Sequence, residues 1–181
     1  MILSDSELVE MLREPRTRRE GFAVLVKQYS EKLYWKVRRI VLCHEDANDV
    51  LQNVFIKVWN NLQNFQGKSS LSTWLYRIAI NESLDFLRKQ KQTDMVSSDE
   101  ELSVSSRLMS DEYFDGDEIQ ARLQEAVARL PEVQRTVFNL KYFEEMKYSE
   151  ISQILNTSEG ALKASYHLAV KKITEYLHSF D

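Results

Sequence analysis

Long apolar runs are missing from this sequence: no window approaches the roughly 18 consecutive apolar residues of a membrane-spanning helix. The opening MILSDSELVE has neither the basic start nor the apolar stretch of a secretory leader. Cys43 is the only cysteine, which excludes an internal disulfide and fits a reducing compartment. These absences lead us to expect a cytoplasmic protein without direct membrane insertion. Only two prolines and four glycines occur in 181 residues, which argues against a turn-rich β fold. Catalytic signatures are also missing. There is no glycine-rich phosphate loop and no His-x-x-x-His. The adjacent Cys43-His44 pair lacks the further ligands a metal site needs, and it is expected to be structural. His167 and His178 have no evident acidic partners. The expectation is therefore a protein that is not an enzyme and takes no metal and no cofactor.

What is present is helix-forming and charged. Hydrophobic residues make up 43% of the chain and charged residues 29%, with a net charge of −4. The charge is unevenly spread. Residues 1–90 carry a net +3, residues 91–120 a net −7 and residues 121–181 a net of zero. The acidic stretch QTDMVSSDEELSVSSRLMSDEYFDGDE is rich in Ser, Asp and Glu. Its like charges repel and favour extension. Residues 91–118 thus read as an acidic flexible linker, with an acidic helix as the alternative. The expected fold class is all-α, with two small helical domains, 1–90 and 119–181, on either side of that linker.

Helical periodicity runs through both halves. Ser4 and Glu7 have the spacing of a capping box for a short first helix. Phe22, Leu25, Val26, Tyr29, Leu33, Val37, Ile40 and Val41 recur at three- and four-residue steps. A third helix is expected over 46–62, burying Val50, Leu51, Val54, Phe55, Val58 and Leu62. Residues 64–72 (NFQGKSSLS) break the period and read as a loop. A fourth helix is expected over 73–89, with Trp74, Leu75, Ile78, Ala79, Leu84 and Leu87 inward. Beyond the linker, a helix is expected over 119–130. A second follows over 131–143, started by Pro131 and burying Val133, Val137, Phe138 and Leu140. A short helix capped by Ser149 ends at Leu155. The turn Asn156-Thr157-Ser158 leads into a last helix over 159–177.

Three stretches carry binding chemistry. The segment 148–173 has the form of a helix-turn-helix, held together by Ile151, Ile154, Leu155, Ala161 and Leu162. Asn156 tolerates the left-handed conformation, and Ser158 is placed to cap the second helix. Lys163, Ser165, Tyr166, His167 and Lys171 would face outward, where lysine reaches phosphate or guanine edges. A plain helical hairpin is the alternative. On the third helix, Asp49, Gln52 and Asn53 make a polar patch beside bulky apolar residues, suited to another protein's helix or simply to water. Lys68, Ser69, Ser70 and Ser72 precede Trp74, Tyr76 and Arg77. This mixture of hydroxyls, cations and aromatics suits single-stranded nucleic acid. Trp74 also has the spacing of a core residue, and Asn81 lies two turns further on.

Taken together, DANDVLQNVFIKVW, SLSTWLYRIAINESLDFLRK, LPEVQRTVFNLKYFEEMKYSEISQIL and EGALKASYHLAVKKI resemble the extracytoplasmic-function (group IV) sigma factors of the sigma-70 family. The resemblance covers about residues 18–90 and 119–178. It implies a transcription initiation factor that brings core RNA polymerase, through its largest and second-largest subunits, to promoter DNA and helps to open it. Asp49, Gln52, Asn53 and Phe55 would dock on the polymerase. Residues 64–73 would hold a flipped base of the −10 element, with Asn64, Lys68, Ser69, Ser70, Ser72 and Thr73 in the loop, and Trp74 and Asn81 beside it. Ser158, Lys163, Ala164, Ser165, His167, Leu168 and Lys171 would meet the −35 element. The resemblance also implies an anti-sigma factor as a partner.

The chain departs from the family pattern in places. Ser165, Leu168 and Val170 stand where arginines are usual, Asn53 where glutamate is common, and Ile80 where arginine is common. Fewer arginines imply fewer phosphate contacts and weaker intrinsic DNA affinity. A stand-alone helix-turn-helix regulator or a helical interaction module are the competing readings, and neither accounts for all three stretches.

Overall fold

A computed structural model describes residues 2–93 and 116–180. Most of the expected acidic linker, residues 94–115, lies outside the described residues. Among those described, all regular structure is helical. They fall into two compact units that divide near residue 95.

The first unit holds four helices: α1 (Asp5–Arg13), α2 (Arg18–Val41), α3 (His44–Asn61) and α4 (Leu71–Thr93). The capping box at α1 forms as expected. Ser4 Oγ accepts the Glu7 N–H at 3.3 Å, and the Glu7 carboxylate accepts the Ser4 N–H at 2.7 Å. Leu8 and Leu12 bury α1 against α2. The two helices approach so closely that a Cβ on Gly21 would sit 2.8 Å from Met11 Cβ. Polar ties reinforce this packing. Leu3 N–H donates to Gln28 Oε1 at 3.1 Å, Gln28 Nε2 donates to the Leu3 carbonyl at 2.9 Å, and the Tyr29 hydroxyl donates to Asp5.

Leu25, Tyr29, Leu33, Val37, Ile40 and Val41 form the buried stripe of α2. The helix ends at Leu42, a left-handed residue whose carbonyl accepts from the buried Arg38 guanidinium. His44 then bonds the Tyr34 hydroxyl at 2.7 Å, so Cys43-His44 joins two helices. Val50, Val54, Val58 and Leu62 face inward from α3, while Leu51 and Phe55 are only half-buried.

The loop after α3 is shorter than periodicity implies. A 3₁₀ turn occupies Leu62–Asn64, and α4 begins at Leu71 rather than near Thr73. Leu71 is almost fully buried, and Ser70 caps the helix by accepting the Thr73 N–H at 3.2 Å. Ile80 and Ser83 are also buried, beyond the expected inward set. The Ser83 hydroxyl is satisfied by the Ala79 carbonyl at 2.7 Å. Helix α4 runs to Thr93, past the expected start of the linker.

The second unit holds α5 (Glu118–Ala128), α6 (Glu132–Phe138), α7 (Tyr148–Leu155) and α8 (Glu159–His178). Asp117 caps α5 by accepting the Gln120 N–H at 2.9 Å, so helix begins one residue inside the expected linker. Pro131 stands at the cap position of α6, just ahead of its first turn. Val133 is 62% exposed, not buried; it lies one turn before Val137, where no neighbour covers it. After Phe138 the helix widens into a π-helical turn over Asn139–Phe143, which keeps Asn139 and Leu140 inward.

Ser149 does not cap α7. Helix starts one residue earlier, and Glu150 accepts the Lys147 N–H at 3.0 Å instead. Ala126, Val127, Leu130, Phe138, Ala169 and Ile173 make the core, lined by Leu123, Phe143, Tyr166, Tyr176 and Leu177.

Candidate functional site

Three surfaces emerge from these helices. On α3, the buried Val50, Val54 and Val58 point Asp49, Gln52 and Asn53 to solvent. Phe55 flanks them, half-buried, with its ring edge-to-face against Phe22 at 6.4 Å. The same face carries two large apolar side chains in the open: Ile56 is 53% exposed and Trp59 is 39% exposed, the latter resting on Phe22 at 5.0 Å. Trp59 ends the motif DANDVLQNVFIKVW, whereas Ile56 was not among the expected site residues. The available signal was Ile56 standing off the apolar stripe, between polar residues. Such a mixture of amide, carboxylate and apolar groups on a rigid helix fits a protein interface better than pure solvent. An ion pair from Lys57 to Glu82 ties this helix to α4.

The second surface is the loop 65–70 and the start of α4. Gly67 adopts a left-handed φ of +69°, which turns the chain, and the Arg13 guanidinium of α1 reaches that turn. Ser70 Oγ bonds Ser72 Oγ at 3.0 Å and Thr73 Oγ1 at 2.8 Å, and Ser69 Oγ donates to the Ser70 carbonyl at 3.3 Å. Asn64 bonds Asn61 at 3.3 Å. The hydroxyls are thus pre-ordered among themselves, with Lys68 exposed beside them.

Trp74 is half-buried and packs on Phe65 at 5.1 Å, forming one wall of the loop. Asn81 is exposed on the same face of α4, two turns on. Tyr76 belongs elsewhere: its ring lies under Lys36 Nζ at 4.0 Å, toward α2. Burial, and then the like charges of Arg39 and Lys32, bring the Lys36 ammonium down to about 8.

The third surface is the α7–turn–α8 unit. Asn156 takes the left-handed conformation (φ +50°). Ser158 is exposed and accepts the Ala161 N–H at 3.3 Å, so its hydroxyl oxygen caps the helix while its O–H stays able to donate. Ile151 and Leu162 are buried and join the helices; Ile154 and Leu155 are half-buried, and Ala161 is exposed on the outward side. Tyr166, expected outside, stacks on Phe138 at 5.8 Å, because its position on α8 turns toward the core. Burial pushes its hydroxyl pKa up. Lys163, Ala164, His167, Leu168 and Lys171 are exposed, and Ser165 is half-buried. The loop residues and Trp74 are brought together in the first unit, whereas the α8 residues belong to the second.

No described helix is long and apolar enough to cross a membrane, and the described residues hold no group of three or more metal-ligating side chains. What the surfaces present is binding chemistry: amides, hydroxyls, lysines and half-exposed aromatics.

Comparisons with known proteins agree with this division. Residues 25–93 match the family model for sigma-70 region 2, and residues 120–173 match that for sigma-70 region 4. The chain is 32% identical over 157 residues to the ECF RNA polymerase sigma factor SigW of Bacillus subtilis, covering 82% of this chain and 84% of that protein. It is 32% identical over 182 residues to the RNA polymerase sigma-H factor of Pseudomonas aeruginosa, covering 96% of this chain and 93% of that protein. Its fold is similar to that of the sigma factor RpoE solved in complex with the anti-sigma factor NepR from Bartonella quintana. There the TM-score is 0.67 at 21% identity, over 88% of this chain and 98% of that one.

Proposed function

Since the chain belongs to the sigma-70 family, as an extracytoplasmic-function RNA polymerase sigma factor, we propose how its surfaces divide the work of starting transcription. Factors of this family are initiation factors rather than enzymes; the chemistry of RNA synthesis stays with the polymerase.

In this reading residues 1–90 form the region that binds polymerase and melts DNA, and 119–181 the region that reads duplex upstream. The open face of α3, with Asp49, Gln52, Asn53 and Phe55, docks on the largest polymerase subunit. Ile56 and Trp59 add apolar area to that contact. The loop from Asn64 to Thr73 encloses a base flipped from the −10 element, with Trp74 as its wall and Asn81 as a donor to the same strand. Unstacking a base costs a few kcal/mol, which stacking and hydroxyl contacts offset. The outward face of α8, with Lys163, Ala164, Ser165, His167, Leu168 and Lys171, enters the major groove at the −35 element. Ser158 holds the start of that helix in place. The acidic residues 91–118 connect the two regions and thread near the polymerase's active-site cleft and RNA exit path, where negative charge can mimic nucleic acid.

The observation that supports this reading is the pairing of two family matches with two units, each leaving one helix face of mixed polar and apolar side chains open. A chain with net charge −4 is a poor DNA binder alone, but a suitable one when delivered by the enzyme. We further propose an anti-sigma factor as its regulator and the cytoplasm as its location. The solved complex of the similar RpoE with its anti-sigma factor supports the former only by analogy of fold.

The test is transcription in vitro with sigma-free core polymerase and a promoter library. The expected result is initiation at defined start sites only when the chain is added. Footprints on DNA without polymerase would instead favour a stand-alone regulator, and neither activity would leave an interaction module.

A further inference from the structure

The outward face of α8 has a composition that narrows what kind of base edge it can read. It carries no arginine, asparagine or glutamine between Glu159 and His178. Of the side chains that pair in two-pronged fashion with guanine or adenine, the helix thus keeps only lysines, which serve phosphate as readily as guanine. At its centre stands Leu168, 46% exposed, with the exposed Ala164 one turn before it. The cations lie around this apolar pair. Lys163 leans over the Tyr148 ring at 5.7 Å, and Lys171 lies 3.9 Å from Glu175, an exposed pair that competing phosphates would readily replace. The arrangement is an apolar centre with positive flanks. In the major groove one base offers an apolar feature, thymine with its C5-methyl group.

We propose that Leu168, with Ala164 leaving it room, selects the upstream promoter element by packing against thymine methyl groups, while Lys163 and Lys171 hold the flanking phosphates. This rests on the assignment of α8 to the −35 element and adds to it the chemistry being read. The positive flanks favour DNA as the occupant over an apolar groove in another protein.

The test uses the full chain bound to core polymerase. A promoter is first selected from a library randomised in the upstream element. Each thymine of that element is then replaced by deoxyuridine, which removes only the methyl group. Holoenzyme affinity should fall by about fourfold for each contacted methyl, the worth of one buried methyl group. With Leu168→Ala the thymine and uracil promoters should bind alike, whereas Leu168→Met should keep the preference. Because Leu168 lies on the surface and outside the core, neither substitution should unfold the unit, and circular dichroism checks this.

Equal binding of thymine and uracil promoters by the unaltered holoenzyme would overturn the proposal while leaving the sigma-factor reading intact. So would a methyl effect that survives Leu168→Ala, or a Leu168→Ala variant changed only in binding an inhibitor protein. Failure of the unaltered chain to support any specific initiation would remove the reading itself, and the proposal with it.

Discussion

The two units solve the same problem, a rigid platform under a binding face, by different means. The first packs four helices through aliphatic stripes, with Leu25, Leu33, Val37, Val50, Val54, Leu71 and Leu75 nearly inaccessible. Its proposed binding residues sit on the outer face of α3 and on one loop, apart from that core. The second is built from shorter helices around small and aromatic residues, with Tyr166, Phe138 and Tyr142 in a stack at 5.8 and 5.0 Å. There a single helix, α8, supplies Leu162, Tyr166, Ala169 and Ile173 to the core and the opposite face to solvent. Changes to the first platform and to its binding face should therefore be separable, while in the second unit they are coupled along one helix.

The largest effects would come from breaking each core in turn. Leu33→Ala should cost about 2–5 kcal/mol and Phe138→Ala about 3–5 kcal/mol. In denaturant melts of the full chain, each should lower its own transition and leave the other in place. Leu33→Ala should abolish polymerase binding, and Phe138→Ala should abolish only upstream DNA recognition. One concerted transition shifted by both variants would break the comparison.

A smaller effect belongs to the binding face alone. Asp49→Ala combined with Gln52→Ala should weaken polymerase binding by roughly 10- to 100-fold, about 1–3 kcal/mol, with no change in melting. If the melt moves as much as the affinity, platform and face are not separable in the first unit. In the second unit, Asn156→Ala keeps the β-carbon in the left-handed turn but removes the short polar side chain that makes that conformation tolerable, and should cost about 1–2 kcal/mol, with DNA recognition falling in parallel. Asn156→Gly should preserve both.

The smallest prediction concerns Lys36. Its folded pKa is lowered from 10.5 to about 8 by burial and then by Arg39 and Lys32. Between those values the unfolded chain binds more protons than the folded one, so stability rises with pH across that window. Tyr29 and Tyr76, whose pKa values are raised, act in the opposite sense above about pH 10. Lys36→Met should flatten the rise between about pH 8 and 10, read from melting midpoints at constant ionic strength.

Much of this was legible before any coordinates, because helical periodicity reports which face meets a core. The centres of the α2 and α3 stripes, the Ser4–Glu7 box, the left-handed Asn156 and the Ser158 cap stand where the pattern puts them. Several misreadings fall at helix ends. Leu71 belongs to α4, Ser149 is not a cap, and Val133 is open to solvent. Near a terminus the period no longer decides, since one neighbour present or absent changes the outcome.

The chemistry at the site was half legible. The residue types of the loop and of α8 were evident, but their environments were not. Trp74 leans on Phe65, Tyr76 turns under Lys36, and Tyr166 joins an aromatic stack.

Residue order by itself determined that this chain is helical, that an acidic stretch lies between two apolar-patterned halves, and that its motifs belong with the sigma factors. These properties depend on spacing along one chain. Only tertiary structure decided which aromatics line the loop and which join the core, how the loop serines pair their hydroxyls, and that Ile56 and Leu168 remain exposed. Those outcomes depend on which other helix arrives alongside, and short-range periodicity carries no information about that.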